Sequence, residues 1–440
     1  MTTAGGTGRR IAGRLIRFGL PGALAVLLLV ATISVFASSR PAVAARHGGW
    51  VTSWSASPQT AMPGTLAAAG FDDQTVREII FSSVGGDPIR LELTNVFGAS
   101  ALRIGHVTVA VAGLGAMLAP GTIHPVTFGG SASVRIPSGQ QVLSDPVGMQ
   151  VSPLQHLAVS IYLPGRSGAA TLHAYARQVN WVSGPGDHTA DQDGGAFITP
   201  IPSWYYLSGL IVRSPGAHGT VVALGDSITD GYQELPSGPP ESPEGIDADG
   251  RWPDVLARRL LAANRPQSVL NAGIAGNRVL LDSTAGGNPD VFGPAAIRRL
   301  DADVLSQAGV TAVIVFEGNN DMLETPNATV EELLGGYREV IDVLHSRGLR
   351  VLQGPLTPVG GLAGAPSDAA PKRQAVNTWI REQSPADAVI DFDSAVRDPA
   401  DPSRINPAFD GGDHLHFNLA GYLAMGNAVP LELLFDPACT

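Results

Sequence analysis

The chain has 440 residues and carries 28 lysines and arginines against 39 aspartates and glutamates, a formal net charge of −11. That balance, with no basic stripe to neutralise phosphates, argues against nucleic acid as a partner, and the length exceeds one ordinary hydrophobic core, so two domains are expected. Cys439 is the single cysteine, which excludes an internal disulfide and a cysteine zinc site.

Arg9, Arg10, Arg14 and Arg17 precede an apolar run from Phe18 to Ala37, and Ala42-Val43-Ala44 then offers small residues of the kind a signal peptidase needs. Residues 1–45 are therefore expected to be a signal peptide, cleaved as the protein is secreted. The run is nearly long enough to span a bilayer, so the alternative is an uncleaved anchor at the outer face of the cell membrane. Membrane contact is expected only through this segment.

Residues 48–199 have the patterning of a β-sandwich or jelly roll. Ile89, Leu91 and Leu93 alternate with Arg90, Glu92 and Thr94; Val107, Val109 and Val111 alternate again, as do Leu157, Val159, Ile161 and Leu163. Thr171, His173, Tyr175 and Arg177 form a more polar alternating strand. Gly85-Gly86-Asp87-Pro88 and Gly129-Gly130 are turns between strands, and no helix is predicted between Trp50 and Thr199. Residues 200–218, rich in Pro, Ser and Gly, are expected to link the domains, with Trp204, Tyr205 and Tyr206 packing at their interface rather than binding sugar.

From residue 219 to the end, strands and helices alternate. Strands are predicted at 220–224, 269–273, 311–317, 349–352 and 388–392. Helices are predicted from Pro253 to Ala263, Pro294 to Gln307, Thr329 to Arg347, Asp368 to Gln383 and Asn418 to about Leu434. This alternation predicts an α/β domain with a mainly parallel sheet and right-handed crossovers.

Four segments of this half carry chemistry. Val221-Val222-Ala223-Leu224 runs directly into Gly225-Asp226-Ser227, placing a serine at a strand's carboxyl end, where open α/β sheets bind ligands. A serine is a poor nucleophile until a base takes its proton. Asp413 and His416 lie three apart in a Gly-rich turn, a spacing that lets the carboxylate fold back onto one edge of the imidazole; with Ser227 they make the three parts of a serine-hydrolase triad. His414, adjacent to Asp413, is the competing base. Oxyanion donors are available in two further strand-end segments, Asn271-Ala272-Gly273-Ile274-Ala275-Gly276-Asn277 and Glu317-Gly318-Asn319-Asn320-Asp321. Asp413, His414 and His416 as metal ligands, or a glycosidase pair among Asp226, Asp230 and Asp321, are the weaker readings. Gly225-Asp226-Ser227 lacks the ending of a phosphate loop. Arg251-Trp252-Pro253 starts a helix near the nucleophile loop, as packing or as a wall of an acyl pocket.

Gly225-Asp226-Ser227-Ile228, the glycine at Gly273, Gly318-Asn319-Asn320-Asp321 and Asp413-His414-Leu415-His416 together resemble, in order, the blocks of the GDSL, or SGNH, hydrolase family. The resemblance covers roughly residues 219–435, with Ile228 in place of the usual leucine. It implies a flavodoxin-like three-layer α/β/α domain over 219–440, with Ser227 as nucleophile, His416 as base and Asp413 orienting His416. It also implies an oxyanion hole from the Ser227 and Gly273 backbone N–H groups and the Asn320 side chain. The expected function is a secreted serine esterase that needs no metal or organic cofactor and acts on short-chain or acetyl esters, with acetylated polysaccharide as the lead substrate. The alternatives are a lipase or phospholipase acting on longer chains, and a catalytically degenerate carbohydrate-binding protein.

Overall fold

The computed structural model of the protein describes residues 48–233, 245–282 and 291–435. The expected signal or anchor at 1–45 lies outside the described residues. The period-two segments are strands, as their alternation requires. Along Ile89–Thr94 the apolar residues are buried while Arg90 and Glu92 are part-exposed, because successive side chains of a strand point to opposite faces.

Beside two two-stranded pairs, Leu102–Ile104 with Val134–Ile136 and Leu172–His173 with Trp204–Tyr205, this first region holds two larger antiparallel sheets. One has four strands in the order Trp50–Ser55, Leu207–Arg213, Ile89–Thr94 and Gln141–Leu143. The other has six, in the order Phe197–Ile201, Asn180–Pro185, Gln74–Phe81, His156–Leu163, His106–Val111 and His124–Val126. Leu91, Leu93, Leu210 and Val212 from the first sheet share one buried cluster with Val76, Ile80, Val159 and Ile161 from the second. The arrangement is sandwich-like, with the core between the sheets. One short helix, Leu66–Ala69, interrupts the otherwise all-β region.

The expected linker at 200–218 is corrected by the structure. Phe197–Ile201, Trp204–Tyr205 and Leu207–Arg213 are strands, and Leu207–Arg213 is an inner strand of the four-stranded sheet, paired on both sides. Its alternation is masked in the sequence by a register shift between Leu207 and Gly209, an irregularity that breaks the period-two pattern. Trp204, Tyr205 and Tyr206 are buried in the sandwich core, which leaves none of them open to a sugar.

The second region holds a five-stranded parallel sheet in the order Ser268–Gly273, Thr220–Gly225, Val310–Phe316, Arg350–Gln353 and Ala388–Val389. Its strands are continuous apolar runs because both faces are covered. Val222, Leu224, Val313 and Val315 pack against the helices Val330–Ser346 and Ala369–Glu382. Val221, Ala223, Ala312 and Ile314 pack on the other face with Trp252–Ala262 and Leu419–Ala428. In chain order the strands run 2-1-3-4-5, so the order reverses beside Thr220–Gly225. Ligands bind at such a switch point, beyond the strands' carboxyl ends.

The two regions lie within one unit, Pro41–Thr440, and are joined by buried hydrogen bonds. The Thr52 N–H donates to Ala308 O at 3.1 Å, and Val269 N–H to Ser83 Oγ at 3.2 Å. Gln59 Nε2 donates to Val291 O at 2.7 Å, and Gln178 Nε2 to Asp249 Oδ1 at 2.7 Å.

Candidate active site

Ser227 begins a one-turn helix, Ser227–Asp230, immediately after the Thr220–Gly225 strand. Asp226 caps that turn through Oδ1, which accepts the Ile228 N–H at 3.0 Å. The turn packs so closely on the neighbouring strand that a Cβ on Gly273 would sit 2.2 Å from Asp230 N. Glycine is required there by the approach of two backbones. The strand prediction ended at Leu224 and missed this helix, which is too short for a periodic signal.

Ser227 is 6 % exposed and His416 7 %. The His416 ring lies with Nε2 2.8 Å from Ser227 Oγ and Nδ1 2.5 Å from Asp413 Oδ2. A carboxylate only accepts, so Nδ1 carries the proton and bare Nε2 faces the serine hydroxyl. Asp413 Oδ1 accepts the N–H groups of Leu415 (3.0 Å) and His416 (2.8 Å), which locks the carboxylate in the turn. Burial acts to raise the Asp413 carboxyl, but the hydrogen bond and charge of His416 and these two amides outweigh it and bring it down to about 2. Asp413 is thus an anion throughout the neutral range.

His414 turns elsewhere. Its φ is 66° and its Nδ1 is 2.6 Å from Asp410 Oδ2, with the side chain 44 % exposed. The two histidines belong to separate pairs, and among the described residues no group of three His, Cys, Asp or Glu is arranged to hold a metal ion. Asp226, Asp230 and Asp321 are tied into the loops: Asp321 accepts the N–H groups of Val279 and Leu280, and Asp230 that of Ala275. Burial raises the Asp226 carboxyl to about 7, against the Ile228 hydrogen bond and the His416 charge. Arg251 caps its helix through Asp254 and is buried.

The expected oxyanion donors are distributed differently from the sequence reading. Gly273 lies in the strand, and its N–H is already used, donating to Asn271 Oδ1 at 2.8 Å. Asn271 Nδ2 in turn donates to Thr229 O at 2.7 Å, clipping the strand to the helix of Ser227. Gly276 stands in the turn that follows, with φ 78°, in the left-handed region open to glycine. Among the described residues the N–H groups of Gly276 and Ser227 donate to no protein acceptor. Asn320 Nδ2 donates to Asn277 O at 2.8 Å, so its amide lies beside the Gly276 turn with a second hydrogen to give. The sequence held this glycine within the same segment, but only the Asn271 bond distinguishes the occupied amide from the unoccupied one.

Beneath the site lies Arg299, which the sequence reading passed over and which is 3 % exposed. Nε donates to Asn277 Oδ1 (2.9 Å), Nη1 to Ala272 O (2.7 Å) and Asp303 Oδ2 (2.7 Å), and Nη2 to Gly225 O (2.9 Å) and Glu317 Oε2 (3.4 Å). All five guanidinium donors are engaged. Burial raises the Glu317 carboxyl to about 8 despite the Arg299 charge.

A serine, an imidazole and a carboxylate in sequence at the carboxyl edge of a doubly wound parallel sheet define a serine hydrolase arrangement. Residues 223–424 match the family model described as GDSL-like Lipase/Acylhydrolase. This part of the chain is a GDSL-like lipase/acylhydrolase (SGNH) domain, preceded by the antiparallel β region, and the protein is a carboxylic ester hydrolase. Solved structures similar to it include a carbohydrate acetylesterase from Sinorhizobium meliloti (19 % identity, TM-score 0.38, covering 48 % of this chain and 95 % of that one). An aryl esterase from M. smegmatis is similar at 21 % identity and TM-score 0.37, covering 48 % of this chain and 95 % of that one. A lipase/acylhydrolase from Enterococcus faecalis is similar at 24 % identity and TM-score 0.34, covering 48 % and 92 %. No curated protein matches the chain.

Proposed function

We propose that the protein is an exported serine esterase that removes short acyl groups, foremost acetyl, from carbohydrate. The observation that carries the reading is the continuous relay from Ser227 Oγ through His416 to Asp413, with contacts of 2.8 and 2.5 Å. His416 Nε2 accepts the hydroxyl proton as Ser227 Oγ attacks the ester carbonyl carbon. The carbonyl oxygen becomes an oxyanion, received by the Ser227 and Gly276 N–H groups and Asn320 Nδ2. Gly276 stands in for Gly273, the donor the family resemblance implies, because the Gly273 N–H is spent on Asn271. The imidazolium returns its proton to the departing alcohol. Water, deprotonated by His416, then attacks the acyl-enzyme, and Ser227 Oγ leaves with the proton restored. Asp413 keeps the ring in the tautomer that accepts at Nε2 and stabilises the imidazolium.

The choice of carbohydrate is supported by two tyrosines beside the base. The Tyr232 ring meets the His416 ring edge-on at 4.7 Å, and Tyr175 meets Tyr232 at 5.3 Å. Such rings combine an apolar body with a polar tip, suited to a sugar. Among similar structures, two are described as carbohydrate acetylesterases. Export rests on the N-terminal arginines and apolar run.

The test is a series of p-nitrophenyl esters from acetyl to dodecanoyl, together with acetylated xylan, against the wild type and Ser227→Ala. Turnover is expected to fall with chain length and acetate to be released from xylan. Ser227→Ala should cost on the order of 10⁶ in kcat. Faster cleavage of long chains would make the protein a lipase, and no Ser227-dependent turnover on any ester would favour a glycan binder.

A further inference from the structure

The polar alternation at Thr171, His173, Tyr175 and Arg177 belongs to the β region, yet its residues meet the helix that carries Ser227. Only Leu172–His173 is a strand, paired with Trp204–Tyr205. Beyond it the chain leaves the sheet and runs beside the nucleophile loop. His173 Nε2 is 3.0 Å from Asp230 Oδ1, Tyr175 packs on Tyr232, and Arg177 Nη2 donates to Gln233 Oε1 at 3.0 Å.

His173 is the informative contact. Its Nδ1 is 2.9 Å from the Ser57 carbonyl oxygen and its Nε2 faces the Asp230 carboxylate. Both partners only accept, so both ring nitrogens must donate, and a ring with two N–H groups is the imidazolium. The side chains of His173 and Asp230 are 3 % and 1 % exposed, so a charged pair is held almost dry. Burial works against the charge on His173, and the Asp230 charge and hydrogen bond with the Ser57 carbonyl outweigh it, raising the ring's pKa. Arg251, paired with Asp254, is the neighbouring cation, and Trp204 packs on the imidazole at 5.6 Å.

Asp230 has a second oxygen. Oδ2 accepts the N–H of Ala275 at 3.1 Å, and Ala275 directly precedes Gly276. Asp230 is also the last residue of the Ser227–Asp230 turn. One carboxylate therefore connects the helix of the nucleophile to the turn that presents the Gly276 amide, and its orientation is set by a cation from the other half of the molecule.

We propose that His173 is a positioning residue of the ester-hydrolysing site: its imidazolium fixes Asp230, and Asp230 fixes the Ala275–Gly276 turn that receives the oxyanion. The β region is then part of the catalytic apparatus rather than a separate glycan-binding module. The inference rests on the serine-esterase reading given above.

The experiment compares wild type, His173→Ala, His173→Gln, Asp230→Asn, Asn320→Ala and the double variant His173→Ala/Asn320→Ala on p-nitrophenyl acetate. Active sites are titrated with a fluorophosphonate, so that misfolded protein does not count. Removing one oxyanion donor costs about 10²–10³ in kcat, and a misplaced one is expected to cost about 10–10². His173→Ala and Asp230→Asn should therefore lose that much kcat per titrated site, with KM within about two-fold of wild type. The double variant should lose much less than the product of the single losses, since both changes act on one oxyanion site. Should His173→Ala not fold, His173→Gln, which keeps an N–H for one acceptor, carries the same readout. Unchanged kcat per site, or losses that simply multiply, would overturn the proposal. Ser227→Ala separates the two readings: if it keeps its turnover the esterase reading falls, whereas a dead Ser227→Ala beside fully active His173 variants sinks only the role of His173.

Discussion

His414 and His416 are two residues apart and differ in what their rings reach. The left-handed backbone at His414 turns its side chain out to Asp410, while His416 returns into the site with one nitrogen on Asp413 and the other on Ser227. The sequence favoured His416 on spacing alone, because an i,i+3 carboxylate reaches back where an adjacent one does not. His416→Ala is expected to cost on the order of 10⁶ in kcat, as removal of the serine does, since nucleophile and base act as a unit. His414→Ala should stay within about two-fold of wild type, as expected for a surface change away from the reacting atoms. Steady-state kinetics on p-nitrophenyl acetate decides between them, and a dead His414→Ala beside an active His416→Ala would reverse the assignment of the base.

At the scale of elements, the site is a meeting of strand ends, and Arg299 holds those ends together. Its donors reach Gly225 O at the end of one strand, Ala272 O near the end of the next, Glu317 just past a third, and Asn277 in the turn after Gly276. Lysine offers a single point charge and three donors in place of the planar fork. Arg299→Lys should therefore leave several buried acceptors unpaired and cost roughly 3–5 kcal/mol of stability, with kcat falling as the strand ends lose register. Urea denaturation alongside kinetics checks this; a variant as stable as wild type would show that the hub is dispensable. The sequence exposed the four segments that meet at the strand ends because each is contiguous and sits where a buried strand meets a polar loop. It did not expose Arg299, whose partners are scattered from residue 225 to residue 317, nor the Asn271 bond that occupies the Gly273 N–H. The strand Leu207–Arg213 was hidden for a related reason: its pairing is with residues about 120 to 160 positions earlier, and a local irregularity erases its period.

The whole molecule couples its charge states to pH in one direction over the neutral range. Asp226 and Glu317 have folded-state values raised by burial to about 7 and about 8. His156 is raised chiefly by its hydrogen bond to Asp249, against desolvation, and His173 is raised as described. A group with a raised folded value keeps its proton after the unfolded chain has lost it, so stability falls as pH rises. For the two acids the contribution is complete below the ordinary carboxylate range and is lost through pH 7 and 8. For the two histidines it is complete below about 6.5 and lost as pH climbs through their raised values. Both histidines bridge the β region to the α/β region, at Asp249 and Asp230, so alkaline pH acts on the join between the halves as well as on the floor of the site. Asp413, lowered to about 2, has the opposite sign, and its contribution is lost only as pH falls from about 4 toward 2. Thermal unfolding followed from pH 5 to 9 should therefore show Tm declining on the alkaline side. Glu317→Gln, which keeps the shape without the ionisation, should flatten the decline near pH 8. A wild-type Tm that holds level or rises between pH 6 and 9 would mean these buried groups do not hold their protons in the fold.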